Sequence, residues 1–240
     1  MQRNADTPVV ILCGGRGLRM GGDEALPKPL ADVGSRPILW HVMALYAAQE
    51  FRSFVLCLGN RGDSIREAVL EWGEDWDVTF VDTGDDTPTG GRVARVADHV
   101  AAGTFCLTYA DGVADIDLTE LVEFHYGHGK AATVTVVRPE NPWGVAQLSD
   151  DGHVIGFAEK PQLDSWVNGG FFVMEPEALS YIEADDILER RPMELLARQR
   201  ELVAFRHDGF WECMDTYKDA LRLNDLWEQG LAPWRDRVTA

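Results

Sequence analysis

The chain has 240 residues, 45% hydrophobic, with 8 Trp. That is enough apolar material for a sizeable core and excludes disordered and fibrous classes. Twenty-two basic against 40 acidic residues give a net charge of −18, a surface that repels nucleic acid and anionic membranes and makes neither an expected partner.

In chain order, residues 9–13, 54–58, 78–81 and 104–109 are short continuous apolar runs, the pattern of strands buried on both faces. Helical segments are predicted between them. One starts at Ser35 with Pro37 in its first turn and runs through Ile38, Val42 and Leu45. Another starts at Ser64, with Glu67 completing a capping-box pattern, and a third covers 92–99. Alternating strand and helix predicts a mostly parallel sheet with helices on both faces, and ligands bound beyond the carboxyl ends of the strands. The second half is predicted to be more antiparallel. Strands at 133–137, 144–148 and 154–158 follow closely, with Ser149-Asp150-Asp151-Gly152 as a hairpin turn. A strand at 170–174, helices at 176–182 and 192–199, a strand at 202–207 and a helix at 216–229 complete the chain. The expectation is a single α/β domain over 1–240, about 1–125 and about 130–240 forming its two halves.

No apolar run approaches the roughly 18 residues that span a bilayer. The first run is too short for a secretory leader and follows Asp6. Cys13, Cys57, Cys106 and Cys213 are scattered, three of them in apolar runs, and show no metal-ligand spacing. They read as reduced thiols of a cytoplasmic protein.

Five constellations can carry chemistry. Directly after the first strand, Cys13-Gly14-Gly15-Arg16-Gly17-Leu18-Arg19-Met20-Gly21-Gly22 frees the backbone to turn N–H groups toward phosphate, with two arginines beside it. It fits neither the Walker A nor the dinucleotide spacing, and a flexible βα loop is the alternative to phosphate binding. Pro27-Lys28-Pro29 holds one cation between two fixed backbone positions. Only 4 of the 22 basic residues are lysines, and Lys28 and Lys160 both precede proline. Asp111, just past a strand, and Asp215, before the last helix, are two carboxylates of the kind that hold nucleotide-bound Mg²⁺. Taken singly, they read as an Asp-Gly turn and a helix N-cap. The loop from Asp82 through Thr87 to Gly90-Gly91-Arg92 suits recognition of a base or sugar, or is simply solvated. Glu159-Lys160-Pro161 with Trp166-Val167-Asn168-Gly169-Gly170 combines an aromatic plate, an amide and exposed backbone, as carbohydrate pockets do; the alternative is a core Trp beside a bulged strand. His125 and His128 read as surface or satisfied residues, and Asp115-Ile116-Asp117 as a helix start.

In order and together these segments resemble the sugar-1-phosphate nucleotidyltransferases. The shared motifs include Arg36-Pro37-Ile38-Leu39-Trp40-His41, Asp111-Gly112-Val113-Ala114-Asp115, Gly209-Phe210-Trp211 and Met214-Asp215-Thr216, and they span nearly the whole chain. The resemblance implies a Rossmann-like, three-layer α/β core with a mostly parallel mixed sheet and a small antiparallel addition. It implies transfer of a nucleotidyl group from an NTP, with CTP expected, to a sugar 1-phosphate, with α-D-glucose 1-phosphate expected. Leu12, Gly14, Gly15, Arg16, Gly17, Leu18, Arg19, Lys28, Thr87, Gly91 and Arg92 would lie at the nucleotide. Glu159, Lys160, Trp166, Asn168 and Gly169 would lie at the sugar phosphate. Asp111 and Asp215 would hold Mg²⁺, and Lys28, Arg19 and Asp111 would serve the chemistry. The family also implies a homo-oligomer. Leu18, Ala110 and Pro142-Trp143 depart from the family's usual residues. Another NTP, another sugar or alcohol phosphate, a catalytically silent sugar-nucleotide binding subunit and a glycosyltransferase are the competing readings.

Overall fold

The structure, a computed structural model, describes residues 2–15 and 26–238. The first half runs α1 (Gln2–Asp6), β1 (Val9–Leu12), β2 (Asp32–Val33), β3 (Arg36–Pro37), α2 (Ile38–Ala47), β4 (Ser53–Leu58), α3 (Gly62–Glu71), β5 (Asp77–Asp82), α4 (Thr89–Arg95), α5 (Ala97–Val100), β6 (Phe105–Tyr109), β7 (Gly112–Ala114) and α6 (Leu118–His128). The second runs β8 (Ala132–Val137), β9 (Val145–Leu148), β10 (Val154–Ala158), β11 (Val167–Met174), α7 (Arg191–Arg198), β12 (Leu202–Arg206), β13 (Trp211–Cys213), α8 (Tyr217–Glu228) and α9 (Arg235–Val238). Residues 176–182, expected as a helix, begin with a short 3-10 segment, Pro176–Tyr181.

Seven strands form one sheet in the order β12-β8-β11-β6-β1-β4-β5. All neighbours are parallel except β11, which runs against both β6 and β8. Alternation along the strands fills two cores. Val9 and Ile11 pack on one face with Leu39, Val42 and Leu121, while Val10 and Leu12 pack on the other with Val93, Val96 and Leu196. This is a three-layer α/β fold. Two-stranded antiparallel pairs (β2–β3, β7–β13 and β9–β10) are added to it. Among the described residues no helix is long and apolar enough to cross a membrane.

Local expectations need correcting in four places. β5 is only half-buried, because it is the sheet's edge; Arg66 lies over its Phe80 ring. Ser35 does not start a helix. It sits in the turn between β2 and β3, where Gly34 has φ +64° and a Cβ would meet the Trp227 indole at 2.1 Å; Pro37 is the N-cap of α2. Ser64 is not a cap, since α3 begins two residues earlier behind left-handed Arg61. The helix expected over 92–99 is two short ones, α4 and α5, meeting at Val96.

Candidate active site

The carboxyl ends of β1 and β6 open onto a cleft of about 360 Å³ lined by Leu12, Gly14, Gly15, Asp85, Asp86, Thr87, Pro88, Thr89, Arg92, Tyr109 and Asp111. The chain's glycine loop thus leaves β1 beside the 85–89 loop. Arg16, Gly17, Leu18 and Arg19 lie outside the described residues.

Arg92 explains how the two loops are held. Its Nη1 donates to Leu58 O at 3.0 Å and Thr83 Oγ1 at 2.7 Å; its Nη2 donates to Gly14 O at 2.8 Å and Asp85 O at 3.2 Å. All four terminal N–H groups are engaged, so Arg92 lines the cleft but acts as a strut between its walls. Gly14 is demanded by this packing, since a Cβ there would lie 1.9 Å from Arg92 Nη1. Gly91 also has a packing reason. Its N–H donates to Asp186 O, and a Cβ would sit 2.2 Å from Ala184 O, so α4 rests directly on the 184–186 segment. Both glycines thus have a packing reason beside any contact with a nucleotide.

Lys28 starts a single 3-10 turn, Lys28–Leu30, between Pro27 and Pro29, anchored by buried Leu30. Its ammonium is 2.5 Å from Asp111 Oδ2 and 2.7 Å from Asp215 Oδ1. Burial opposes the charge on Lys28, but Asp111 and Asp215 outweigh it and hold its pKa above the ordinary lysine value. Two backbone features bring the aspartates together. β7 pairs with β13 in the register Gly112↔Cys213, and Met214 N–H donates to Asp111 O at 2.9 Å. Asp215 does not cap α8. Thr216 does, in a capping box with Asp219, whose Oδ2 also accepts from Asp215 N–H at 3.0 Å. One oxygen from each of Asp111 and Asp215, together with Cys213 Sγ, lie within 4.8 Å of one another. The donor set fits a divalent cation: two carboxylates already share one positive charge.

Residues 168–171 form a bulge in β11, because Asn168 faces Val136 while Phe172 faces Val134. Gly170 has φ +75°, and its N–H donates to Asn168 Oδ1. Gly169 O accepts from Trp211 Nε1 at 2.7 Å. Asn168 Nδ2 donates to Tyr109 Oη at 3.2 Å, Tyr109 Oη donates to Glu189 Oε1 at 2.5 Å, and Thr89 Oγ1 donates to Glu189 Oε2 at 2.7 Å. Burial, then the Glu189 carboxylate, pushes the Tyr109 phenol up and keeps it a donor. This chain links the bulge to the cleft wall. The sequence assigns no role to Tyr109 or Glu189: Tyr109 only opens the Tyr109-Ala110-Asp111-Gly112 segment, Glu189 sits in no motif, and they meet only through the fold.

Glu159 and Lys160 are exposed at the end of β10, Lys160 with left-handed φ +45° before Pro161. They do not line the cleft. The Trp166 ring is not an open plate, since the guanidiniums of Arg138 and Arg206 lie 4.6 and 5.5 Å from its centroid. His125 is buried and bonded to Thr133 Oγ1 and Glu175, as a satisfied histidine, and Asp117 caps α6. Of the cysteines, Cys213 is the one not buried, and it stands beside Asp111 and Asp215 although no spacing announced it.

Residues 8–229 match the Nucleotidyl transferase family. The chain is 40% identical over 252 residues to glucose-1-phosphate cytidylyltransferase of Salmonella typhi, covering 94% of this chain and 98% of that protein. It is also 40% identical over 250 residues to the probable glucose-1-phosphate cytidylyltransferase of Bacillus subtilis (strain 168), with the same coverage. Among solved structures, HddC from Yersinia pseudotuberculosis superposes with a TM-score of 0.73 at 20% identity, over 92% of this chain and 99% of that one, a likeness of fold.

Proposed function

We propose that this chain, which belongs to the nucleotidyl transferase family, transfers the cytidylyl group of CTP to α-D-glucose 1-phosphate, giving CDP-glucose and pyrophosphate. The observation that carries the substrates is the end-to-end 40% identity to proteins of that activity. The chemistry suits the cleft. A phosphate oxygen of the sugar phosphate forms a bond to the α-phosphorus of CTP as the bond from that phosphorus to the departing pyrophosphate breaks. The attacking oxygen is already anionic, so the protein's task is positioning and neutralisation of like charges.

The cleft wall carries Asp85, Asp86 and Asp111, and Arg92 is engaged with backbone and Thr83. The nucleotide's phosphates therefore draw on Lys28, with Arg16 and Arg19 of the glycine loop, and the sugar phosphate on Lys160. Lys28 moves from the two carboxylates to the triphosphate. Asp111 and Asp215 would hold Mg²⁺, which when bound would supply further charge neutralisation to the phosphates. The backbone of Leu12, Gly14, Gly15, Gly17 and Leu18 wraps the nucleotide, and Thr87 lies at its base or ribose. Asn168 and Gly169 in the bulge lie at the sugar phosphate, and Glu159 and Lys160, exposed outside the cleft wall, would reach it from the end of β10. Residues 1–125 serve the nucleotide and 130–240 the sugar. A cytoplasmic setting fits the four free thiols.

The experiment is a panel of CTP, UTP, dTTP and GTP against glucose 1-phosphate, read by released pyrophosphate. CTP is expected to be preferred by at least about tenfold in kcat/KM, roughly 1.4 kcal/mol of transition-state binding. Preference for another base would reassign the substrate and leave the reaction class standing; no pyrophosphate with any pair would refute the reading.

A further inference from the structure

The pair Asp111 and Asp215 is made of hard oxygen donors, the kind Mg²⁺ selects. The structure adds a soft one. Cys213 ends β13, opposite Gly112 in the β7 pairing, and so stands next to Asp111 across the strands and two residues from Asp215 along the chain. Its Sγ falls in the same group of donor atoms, all within 4.8 Å. It is half-buried, whereas Cys13, Cys57 and Cys106 are buried in the sheet. Magnesium gains little from a sulfur ligand, while Zn²⁺ and Cd²⁺ prefer one.

We infer that Cys213 is a third ligand in the dication site, which makes Asp111–Cys213–Asp215 a mixed oxygen–sulfur site that captures thiophilic divalent cations such as Zn²⁺ and Cd²⁺ in competition with Mg²⁺. This rests on the reading that Asp111 and Asp215 hold a dication. As the metal–sulfur bond forms, the thiol proton passes to solvent. The Lys28 ammonium, now 2.5 and 2.7 Å from the two carboxylates, has to leave first. Capture of a soft ion therefore competes with two hard cations, the protein's own ammonium and Mg²⁺.

The test is titration of the intact protein with Cd²⁺, followed by the ultraviolet thiolate-to-metal charge-transfer band, with bound Cd²⁺ counted independently by equilibrium dialysis. The wild type is expected to develop the band to saturation at one equivalent and to lose it as Mg²⁺ is added. Cys213→Ser is expected to lack the band and to show a Cd²⁺-over-Mg²⁺ affinity ratio lower by about tenfold or more. Lys28→Met, which removes the competing ammonium, is expected to saturate at lower Cd²⁺. Bound Cd²⁺ without a band in the wild type would overturn the thiol's role while leaving the carboxylate site intact. A band that persists in a folded Cys213→Ser protein would place the sulfur elsewhere. Failure of Cd²⁺ and Mg²⁺ alike to bind would overturn the dication site itself.

Discussion

Lys28 and Arg92 are both cations of the cleft, and their surroundings give them opposite work. Lys28 carries a compact charge that three rotatable N–H groups can hand from carboxylate to phosphate, whereas Arg92 is a fixed fork with four acceptors. Lys28→Met is expected to lower kcat by about a hundredfold or more, the scale of losing one placed electrostatic group. The same variant is expected to bind Mn²⁺ more tightly without nucleotide, because the ammonium no longer occupies the carboxylates; turnover near the wild-type rate would remove Lys28 from the chemistry. Arg92→Lys keeps the charge and loses the fork. It is expected to lose about 2–3 kcal/mol in urea unfolding, since buried carbonyls of both loops are left without donors. If it instead unfolds like the wild type, Arg92 is no strut. At this scale the sequence displayed residue types but not partners. The glycines at 14 and 91 were visible as freedom of backbone; that their Cβ would collide with Arg92 and Ala184 is a tertiary fact. Cys213 was obscured for the same reason: a cysteine four places before a helix says nothing until β13 pairs with β7.

Strands were more legible than helix starts. A buried parallel strand writes its position as a continuous apolar run, and β1, β4 and β6 follow that rule. Helix starts depend on the φ of one residue, and Arg61 in the left-handed region moved α3 away from the Ser64 signal. The Thr216 cap was readable as a helix start, but its effect on Asp215 was not. α2 carries a different cost. His41 is fully buried, its Nε2 bonded to Val33 O at 2.8 Å, and it makes an edge contact with the Trp227 ring at 4.6 Å. Burial pushes its pKa down to about 4 from an ordinary 6.5. The unfolded chain therefore binds this proton first. The stabilisation is full above 6.5 and is lost as pH falls toward 4, about 3 kcal/mol in all. Thermal unfolding of the wild type is expected to drop across that window and that of His41→Gln to drop less; equal slopes would contradict the account. His125 and His128, also held below the ordinary value by burial, contribute in the same direction and keep the variant's slope above zero.

On the scale of the whole molecule, one sheet ties the two ends of the chain to one cleft. Its early strands (β6, β1, β4, β5) and late strands (β11, β8, β12) meet at β6 and β11, and the separate β7–β13 pair lets Asp111 and Asp215 share a cation although 104 positions apart in numbering. The parallel core was legible in the alternation of strand and helix, and the single reversed strand β11 was not, because an apolar run carries no direction. The β9–β10 ribbon stands out from the fold with Leu148, Val154, Ile155 and Phe157 between 61 and 69% exposed. Apolar surface of this extent is normally covered, which makes self-association through the ribbon an outcome to measure. Light scattering is expected to give a mass that is a multiple of 26.7 kDa, and Phe157→Glu with Ile155→Glu to reduce it; a monomer at micromolar concentration would contradict this.

The measurement that bears most directly on the shared cation is the Mg²⁺ dependence of pyrophosphate release from CTP and glucose 1-phosphate in Asp111→Asn, Asp215→Asn and the double variant. If the two carboxylates hold one ion, each single change should weaken the Mg²⁺ response and lower turnover by about a hundredfold or more, and the double should be little worse than the more damaging single. A single variant with a wild-type Mg²⁺ response, or losses that multiply in the double, would show that Asp111 and Asp215 act apart.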